Sequence, residues 1–103
     1  MKEHHLKTWP HEFDAVRSGA KTFEVRSNAD RDFDVGDWLY LHKWDPGSKS
    51  PIASRGQYIT PEGHGWHEQE SADTIIAEVT YILHGGRFHL APGVCVMAIT
   101  VIR

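Results

Sequence analysis

The stretch GAKTFEVR, residues 19–26, places a lysine, a glutamate and an arginine within six residues of one another. Lys21 and Arg26 can donate hydrogen bonds to a phosphate, and Glu24 can accept one from an exocyclic amine or a ribose hydroxyl. The alternative is an internal ion pair in which Glu24 binds Arg26 or Lys7 across strands, contributing roughly 0.2 to 1 kcal/mol and no function. The residue types alone leave a binding site and a structural pair open.

Further residues that could join such a site lie near both ends of the chain. Lys7 offers another ammonium group, and Arg87 stands in the segment HGGRF, where two glycines can expose backbone amides to an anion. His5 shares a strand side with Lys7, and His84 opens HGGRF, so either histidine could act as a general acid or base. A tight turn and structural hydrogen bonds are the alternatives.

A metal site is the other chemistry that the histidines raise. His64 and His67 are three residues apart and lie near Glu68 and Glu70. Glycines on either side of His64 favour a loop, and two histidines without an assured third ligand are usually polar loop residues. We therefore expect no metal and no cofactor.

Composition limits the classes of partner. The 103 residues suit one domain, and 11 basic against 14 acidic side chains give a formal charge of −3, which does not favour non-specific coating of nucleic acid. Residues 1–31 hold six Lys or Arg, whereas residues 56–86 hold five acids and no Lys or Arg. An anionic partner is therefore expected to contact the first third of the chain.

The single cysteine and the hydropathy indicate the compartment. Cys95 lies in the apolar run GVCVMAITVI and is expected to be a buried small hydrophobe, which favours a reducing environment. The sequence contains no apolar run long enough to span a membrane, and its N-terminus lacks the apolar core of a signal peptide. We expect a cytoplasmic protein that does not interact with membranes.

One helix and five strands are needed to position the candidate residues. Trp9, Phe13 and Val16 are spaced by four and three residues, and Gly19 follows as a C-terminal cap, which predicts a short helix. Alternation and β-branched residues predict strands at 4–8, 21–27, 38–44, 73–83 and 93–102, with a long loop or insertion at 46–71. The predicted class is α+β, mostly β, in a single domain over residues 1–103: a small curled sheet or barrel with the helix plugging one end.

Two of the predicted strands have mixed faces. In 21–27, Lys21 shares a side with Phe23 and Val25, and as the first residue of its strand it can project beyond the core edge. In 38–44, Leu39 and Leu41 lie on one side. The opposite, aromatic side either packs or forms a stacking surface for a base, and it consists of Trp38, Tyr40, His42 and Trp44.

The spacing Gly19, Lys21, Glu24, Arg26 resembles the G-x-K-x-x-E-x-R signature of the ASCH group in the PUA-like superfamily. The segments RDFDVGDWLYLHKWDP and VTYILHGG extend the resemblance to an uncharacterised bacterial and phage subfamily, over nearly the whole chain apart from residues 47–70. The resemblance implies a five- or six-stranded mixed β-barrel with a cleft beside the early helix. It also implies recognition of RNA or nucleotides, since relatives include proposed RNA-binding domains, an acetylcytidine amidohydrolase and a ribonuclease.

The amidohydrolase of that group uses a lysine, a threonine and a glutamate. Lys21 matches the lysine, but Glu24 occupies the threonine position, and the segment that supplies the third residue is replaced by the short HGGRFHLAPG. A lysine that acts as base or nucleophile must lose its proton, and a neighbouring carboxylate opposes this by stabilising the ammonium ion. Lys21 is therefore expected to be a fixed positive charge.

These considerations predict an RNA-binding or nucleoside-binding cleft. Its expected residues are His5, Lys7, Lys21, Glu24, Arg26 and Arg87. The alternative is a small hydrolase, a nucleoside amidohydrolase or a ribonuclease, with Lys21 and Glu24 as catalytic residues. A third possibility is a protein interaction module that uses the aromatic strand face and the 46–71 segment.

Overall fold

The computed structural model describes residues 1–51 and 73–103. It contains one helix, α1 (Pro10–Ser18). The strands are β1 (Glu3–Thr8), β2 (Phe23–Ser27), β3 (Trp38–Asp45), β4 (Ser50–Pro51), β5 (Thr74–His84) and β6 (Val94–Val101). The predicted helix and strands are therefore present, with ends that differ by one or two residues. In the 46–71 segment, residues 50 and 51 form the strand β4, and residues 52–71 lie outside the described part.

The main sheet is mixed and open. Its strand order is β1-β3-β5-β6-β2, with β4 paired to β3. The β1–β3 pair is parallel and the other pairs are antiparallel. Within the described residues β1 and β2 stand at the two ends of this order and share no ladder, so the α+β, mostly β class is confirmed and the predicted closed barrel is wrong.

The side chain of Arg26 connects β1 and β2, which have no backbone hydrogen bonds between them in the described part of the chain. The guanidinium of Arg26 donates through Nη1 to the backbone oxygen of Lys7 at 3.0 Å and through Nη2 to Oγ1 of Thr8 at 3.1 Å. One arginine thus spans the gap where a closed barrel would have paired backbone groups. The sheet is therefore open beside the candidate site, and a side chain instead of backbone pairing joins its two ends.

The core lies between α1 and the inner face of the sheet. Phe13 and Val16, three residues apart on α1, are both buried against it. The sheet contributes Leu6, Leu39, Leu41, Ile75, Ala77, Val79, Cys95, Met97 and Ile99, and the β2–β3 loop contributes Phe33. Burial raises the pKa of the Cys95 thiol, which accords with the prediction of a small buried hydrophobe.

Strand β3 has the two faces that its sequence predicts. Leu39 and Leu41 are fully buried in the core. On the opposite face Trp44 and His42 are also buried, while Tyr40 is half-buried. This burial favours packing over an open stacking surface on that side of β3.

Strand β2 reverses the orientation expected from its apolar residues. Glu24 is only 2% exposed, whereas Phe23 and Val25 are 43% and 48% exposed. Lys21 precedes the strand rather than beginning it. A carboxylate therefore occupies the inner side of β2, and the two apolar side chains face outward.

The loop between β2 and β3 is fixed by Asp37. The Asp37 carboxylate accepts backbone N–H groups of Lys2 and Asp34, each at 2.9 Å, and lies 2.8 Å from Nε2 of His4. Burial is the largest influence on this carboxyl and opposes its ionisation, but the hydrogen bonds from His4, Lys2 and Asp34 together lower the pKa of Asp37. The start of β1 is thereby attached to the start of β3.

Candidate functional site

An open cleft of about 440 Å³ lies between the end of β1, the start of α1 and strand β2. This volume falls within the roughly 300 to 1,000 Å³ of small-molecule sites. Its lining residues are Lys7, Thr8, Trp9, Glu12, Lys21, Phe23, Glu24, Val25 and Arg26. The cleft therefore collects the residues of the ASCH-like signature beside the helix.

Local geometry at both ends of α1 positions Lys21. Pro10 occupies the first turn, and Gly19 ends the helix in a left-handed conformation (φ 87°) that a glycine adopts without strain. The backbone N–H of Lys21 donates to the carbonyl of Ala15 at 3.0 Å, which folds the chain back along the helix. The Lys21 ammonium can then reach Glu12 in the first helical turn, at 2.8 Å.

Glu24 lies between two cations. Its Oε1 accepts a hydrogen bond from Nε of Arg26 at 2.9 Å, and its Oε2 lies 3.4 Å from Nζ of Lys21. Lys21 and Arg26 are themselves mostly buried, with 15% and 23% of their side chains exposed. Paired cations and hydrogen bonds are what a carboxylate needs to remain charged in a buried position.

The charged groups of this network balance. Lys21 and Arg26 contribute two positive charges, and Glu12 and Glu24 contribute two negative ones. The hydrogen bond and charge of Lys21 lower the pKa of Glu12, so this carboxyl is ionised at neutral pH. The network has no excess positive charge with which to attract a phosphate, which favours a ligand that carries hydrogen-bond donors and a flat apolar surface.

Aromatic side chains provide that apolar surface. Trp9 is 60% exposed at the junction of β1 and α1, and Phe23 is exposed at the start of β2. The Lys21 ammonium lies 5.5 Å from the centre of the Phe23 ring. A planar heteroaromatic ligand can therefore contact aromatic walls and the Glu24 carboxylate in the same cleft.

The cleft includes four of the six predicted site residues: Lys7, Lys21, Glu24 and Arg26. Lys7 contributes its backbone oxygen to Arg26, while its ammonium stacks on Trp44 at 4.2 Å, on the other side of β1. The orientation of the Lys7 side chain therefore does not support its predicted role as a hydrogen-bond donor to a phosphate in the cleft.

His5 and Arg87 do not line the cleft. His5 lies on the outward face of β1, where its Nδ1 is 2.8 Å from Nε2 of His42 and its ring stacks on Tyr40 at 4.7 Å. Arg87 lies in the exposed loop between β5 and β6, beyond the Ser27–Val94 pair at the opposite end of β2 from Lys21.

The HGGRF segment forms a tight turn. The N–H of Gly86 donates to the carbonyl of Leu90 at 2.7 Å, and a Cβ at Gly85 would overlap the carbonyl oxygen of Ala91. Gly85 is required for this close approach, Gly86 adopts a positive φ of 93° that favours glycine, and the Gly86 amide is already used. The anion-cradle interpretation of this segment gains no support from its geometry.

Five cleft residues were not predicted as site residues from the sequence: Thr8, Trp9, Glu12, Phe23 and Val25. Glu12 lies in the first turn of the helix, and Lys21 lies just beyond its C-terminal end. Because the predicted helix is short, a lysine side chain that folds back from its end could have been expected to reach the first turn, and this was the one signal in the sequence for the pair. Thr8 and Trp9 enter the site because β1 passes directly into α1. The sequence predicted that the first strand ends and the helix begins at this point, but it did not predict that this junction lies next to β2.

The histidine and glutamate candidates for a metal, His64, His67, Glu68 and Glu70, lie outside the described residues. Within 1–51 and 73–103, no three His, Cys, Asp or Glu side chains are grouped so that they could hold a metal ion. In the same ranges, no helix has the length and apolar character needed to cross a membrane.

Comparison with known proteins gives a family for this chain. No curated protein sequence matches the chain. The DUF3850 family, described as a domain of unknown function, matches residues 3–99, which include every strand and the helix described above apart from the last residues of β6. The chain therefore belongs to the DUF3850 family.

Proposed function

We propose that the cleft recognises a nucleobase, as part of RNA or as a free or modified nucleoside, and that the chain is an ASCH-type domain of the PUA-like superfamily. The observation that carries the proposal is the buried Glu24 carboxylate, held between Lys21 and Arg26 on the wall of an open cleft. The ASCH-like signature residues Lys21, Glu24 and Arg26 support the relationship by converging there, although the sheet is not a closed barrel.

The orientation of β2 supports a functional role for Glu24. Turning Phe23 and Val25 outward while burying a carboxylate costs stability, because the opposite orientation would bury two apolar side chains. Departures from the ordinary pattern of burial concentrate at functional sites. An internal ion pair alone could form on the solvent side of β2 without this cost.

The remaining hydrogen-bonding capacity favours the edge of a base. Each oxygen of Glu24 makes one of the contacts described above, and a carboxylate oxygen can accept two hydrogen bonds. Arg26 uses three of its five N–H groups, on Glu24, Lys7 and Thr8. A base that presents an amine beside a carbonyl could bond Glu24 and Arg26 while its ring stacks on Trp9.

The test is a titration of the four ribonucleosides, their monophosphates, acylated nucleosides and short RNA, followed by calorimetry and tryptophan fluorescence. We expect Trp9 fluorescence to change on binding and Trp9→Ala to weaken affinity roughly 5- to 150-fold, the range for loss of one stacking contact. Glu24→Gln should also weaken binding, and Glu78→Gln, on β5 outside the cleft, is the matched control. Wild-type affinity in both Trp9→Ala and Glu24→Gln would overturn the proposal.

The same titration separates binding from hydrolysis. The Lys21 ammonium already contacts both Glu12 and Glu24, so it is engaged as a hydrogen-bond donor, which does not favour a role as a base. We therefore expect bound nucleosides to be recovered unchanged. Product formed from an acylated nucleoside or from RNA, and abolished by Glu24→Gln, would identify the chain as a hydrolase instead.

A further inference from the structure

The outward face of the sheet carries an aromatic row that begins at the cleft. Phe23 on β2 pairs with Ala98 on β6, and Ala98 pairs with Tyr81 on β5. Phe23 and Tyr81 are thus two strand spacings apart, roughly 10 Å, with a small alanine between them. Tyr81 is 63% exposed, so both rings of this row face solvent.

The row directly beside it is apolar as well. Val25 pairs with Val96, and Val96 pairs with Leu83. The neighbours of Val96 along β6, Cys95 and Met97, are buried, so Val96 belongs to the outward face. Neither of these two rows contains an acidic side chain.

Phe23 joins this face to the cleft. Its ring lines the cleft and also begins the aromatic row, and the Lys21 ammonium lies 5.5 Å from the ring centre. The Lys21 charge is balanced by Glu12 and Glu24, so what this face offers a single-stranded nucleic acid is stacking of its bases on aromatic rings that continue from the cleft.

We propose that Phe23 and Tyr81 are a stacking surface for the nucleotides next to the base held in the cleft, so that the ligand is a single strand of RNA rather than a free nucleoside. This inference rests on the proposed function. Aromatic side chains on the exposed face of an open sheet are a recurrent means of stacking two or three bases, and here β6 with its small Ala98 separates the two rings. Together with the cleft, the row accommodates about three nucleotides.

The face has the character of a base-stacking surface more than of a protein interface. Its two exposed aromatic side chains, Phe23 and Tyr81, are separated by Ala98, which leaves the ring faces accessible. Of the aliphatic side chains beside them, Val96 and Leu83 are half-buried and Val25 is exposed. A protein partner on the same face is a distinguishable outcome of the experiment below.

The experiment compares a labelled RNA hexamer, by fluorescence anisotropy, with the mononucleoside of the same base, by calorimetry. The hexamer should bind more tightly than the nucleoside. Tyr81→Ala should weaken hexamer binding roughly 5- to 150-fold and leave nucleoside binding unchanged, because Tyr81 lies outside the cleft. Tyr81→Phe retains the ring and should retain the affinity. Phe88→Ala is the matched control, since Phe88 is a 75% exposed aromatic in the β5–β6 loop, outside the row.

Two results would overturn the inference while leaving the proposed function intact. One is equal affinity for hexamer and nucleoside, with both weakened by Trp9→Ala. The other is unchanged hexamer binding in Tyr81→Ala together with a loss of self-association in sedimentation, which would make the face a protein interface. If neither ligand bound the wild-type protein, both proposals would fail together.

Discussion

Arg26 holds Glu24 from two positions further along the same strand, with its Nε 2.9 Å from Oε1 of the carboxylate. Alternate residues of a strand share a face, so both side chains lie on the inner side of β2. Lys21 approaches the same carboxylate from the end of α1. The sequence signature is therefore a compact charge network, whose members reach one another through strand alternation and the helix cap.

Removing the charge of Glu24 should destabilise the fold. Glu24→Gln leaves Arg26 without its carboxylate and should lower the free energy of unfolding by roughly 2 to 3 kcal/mol, somewhat less than for a fully buried pair because Lys21 and Arg26 retain some solvent contact. Urea unfolding measures this difference. Glu78→Gln serves again as the control. If Glu24→Gln lowered the free energy of unfolding by less than about 0.5 kcal/mol, the range of surface substitutions, the result would contradict a stabilising network around Glu24.

Replacing Lys21 by methionine should raise the pKa of Glu12 toward its ordinary value of 4.5, because the Lys21 hydrogen bond is the largest cause that lowers it. The stabilisation from this pair is present above the pKa of the unfolded carboxyl and is lost as the pH falls through the lower folded value. NMR titration of the Glu12 carboxyl carbon measures the shift. Lys43→Met removes a lysine that binds Asp14 instead, and Glu12 should titrate as in the wild type.

Asp37→Asn should lower the free energy of unfolding by roughly 1 to 3 kcal/mol, since an amide cannot accept all the hydrogen bonds that the buried carboxylate receives. The pKa of Asp37 is lowered in the folded state, so its contribution is present above the unfolded value of 3.8 and lost as the pH falls through the folded one. The variant should therefore show a weaker loss of stability in acid.

Thermal unfolding between pH 2 and 7 tests the Asp37 prediction. Asp34→Asn is the comparison, because Asp34 is exposed and its side chain binds Lys2 at the surface. Equal effects of the two substitutions would show that burial of Asp37 contributes nothing.

The glycines of HGGRF should differ in what they tolerate. Gly85→Ala places a Cβ against the carbonyl oxygens of Ala91 and Val94, which must shift, and should cost roughly 1 to 3 kcal/mol. Gly86→Ala meets open space and suffers only from its positive φ of 93°, at about 1 to 2 kcal/mol. Melting temperatures of the two variants measure the difference. A larger decrease in melting temperature for Gly86→Ala than for Gly85→Ala would contradict the close packing at Gly85.

Local sequence signals placed the elements because those signals act over a few residues. Pro10 and Gly19 bracket α1, and the apolar spacing of Phe13 and Val16 identifies its buried face. The alternation in β3 likewise placed Leu39 and Leu41 in the core. Propensity, capping and strand periodicity each depend on neighbouring residues in the chain, so they can be recognised from the sequence without knowledge of the tertiary structure.

The orientation of β2 and the role of Asp37 could not be read from local patterns. Phe23 and Val25 give β2 an apolar side that alone favours the core, and the outcome depends on Arg26 reaching Lys7 and Thr8 on β1. Asp37 likewise depends on the backbone of Lys2, 35 positions away. Such contacts are made between segments that only the tertiary fold brings together.

The junction of β1 and β2 through Arg26 ties the contact between these two strands to the charge network of the cleft. A closed ladder would join the strands by a series of backbone hydrogen bonds, whereas Arg26 joins them by two and is held by Glu24 through a third. Because one guanidinium makes all three contacts, a ligand that competes for Arg26 also acts on the contact between the two edge strands.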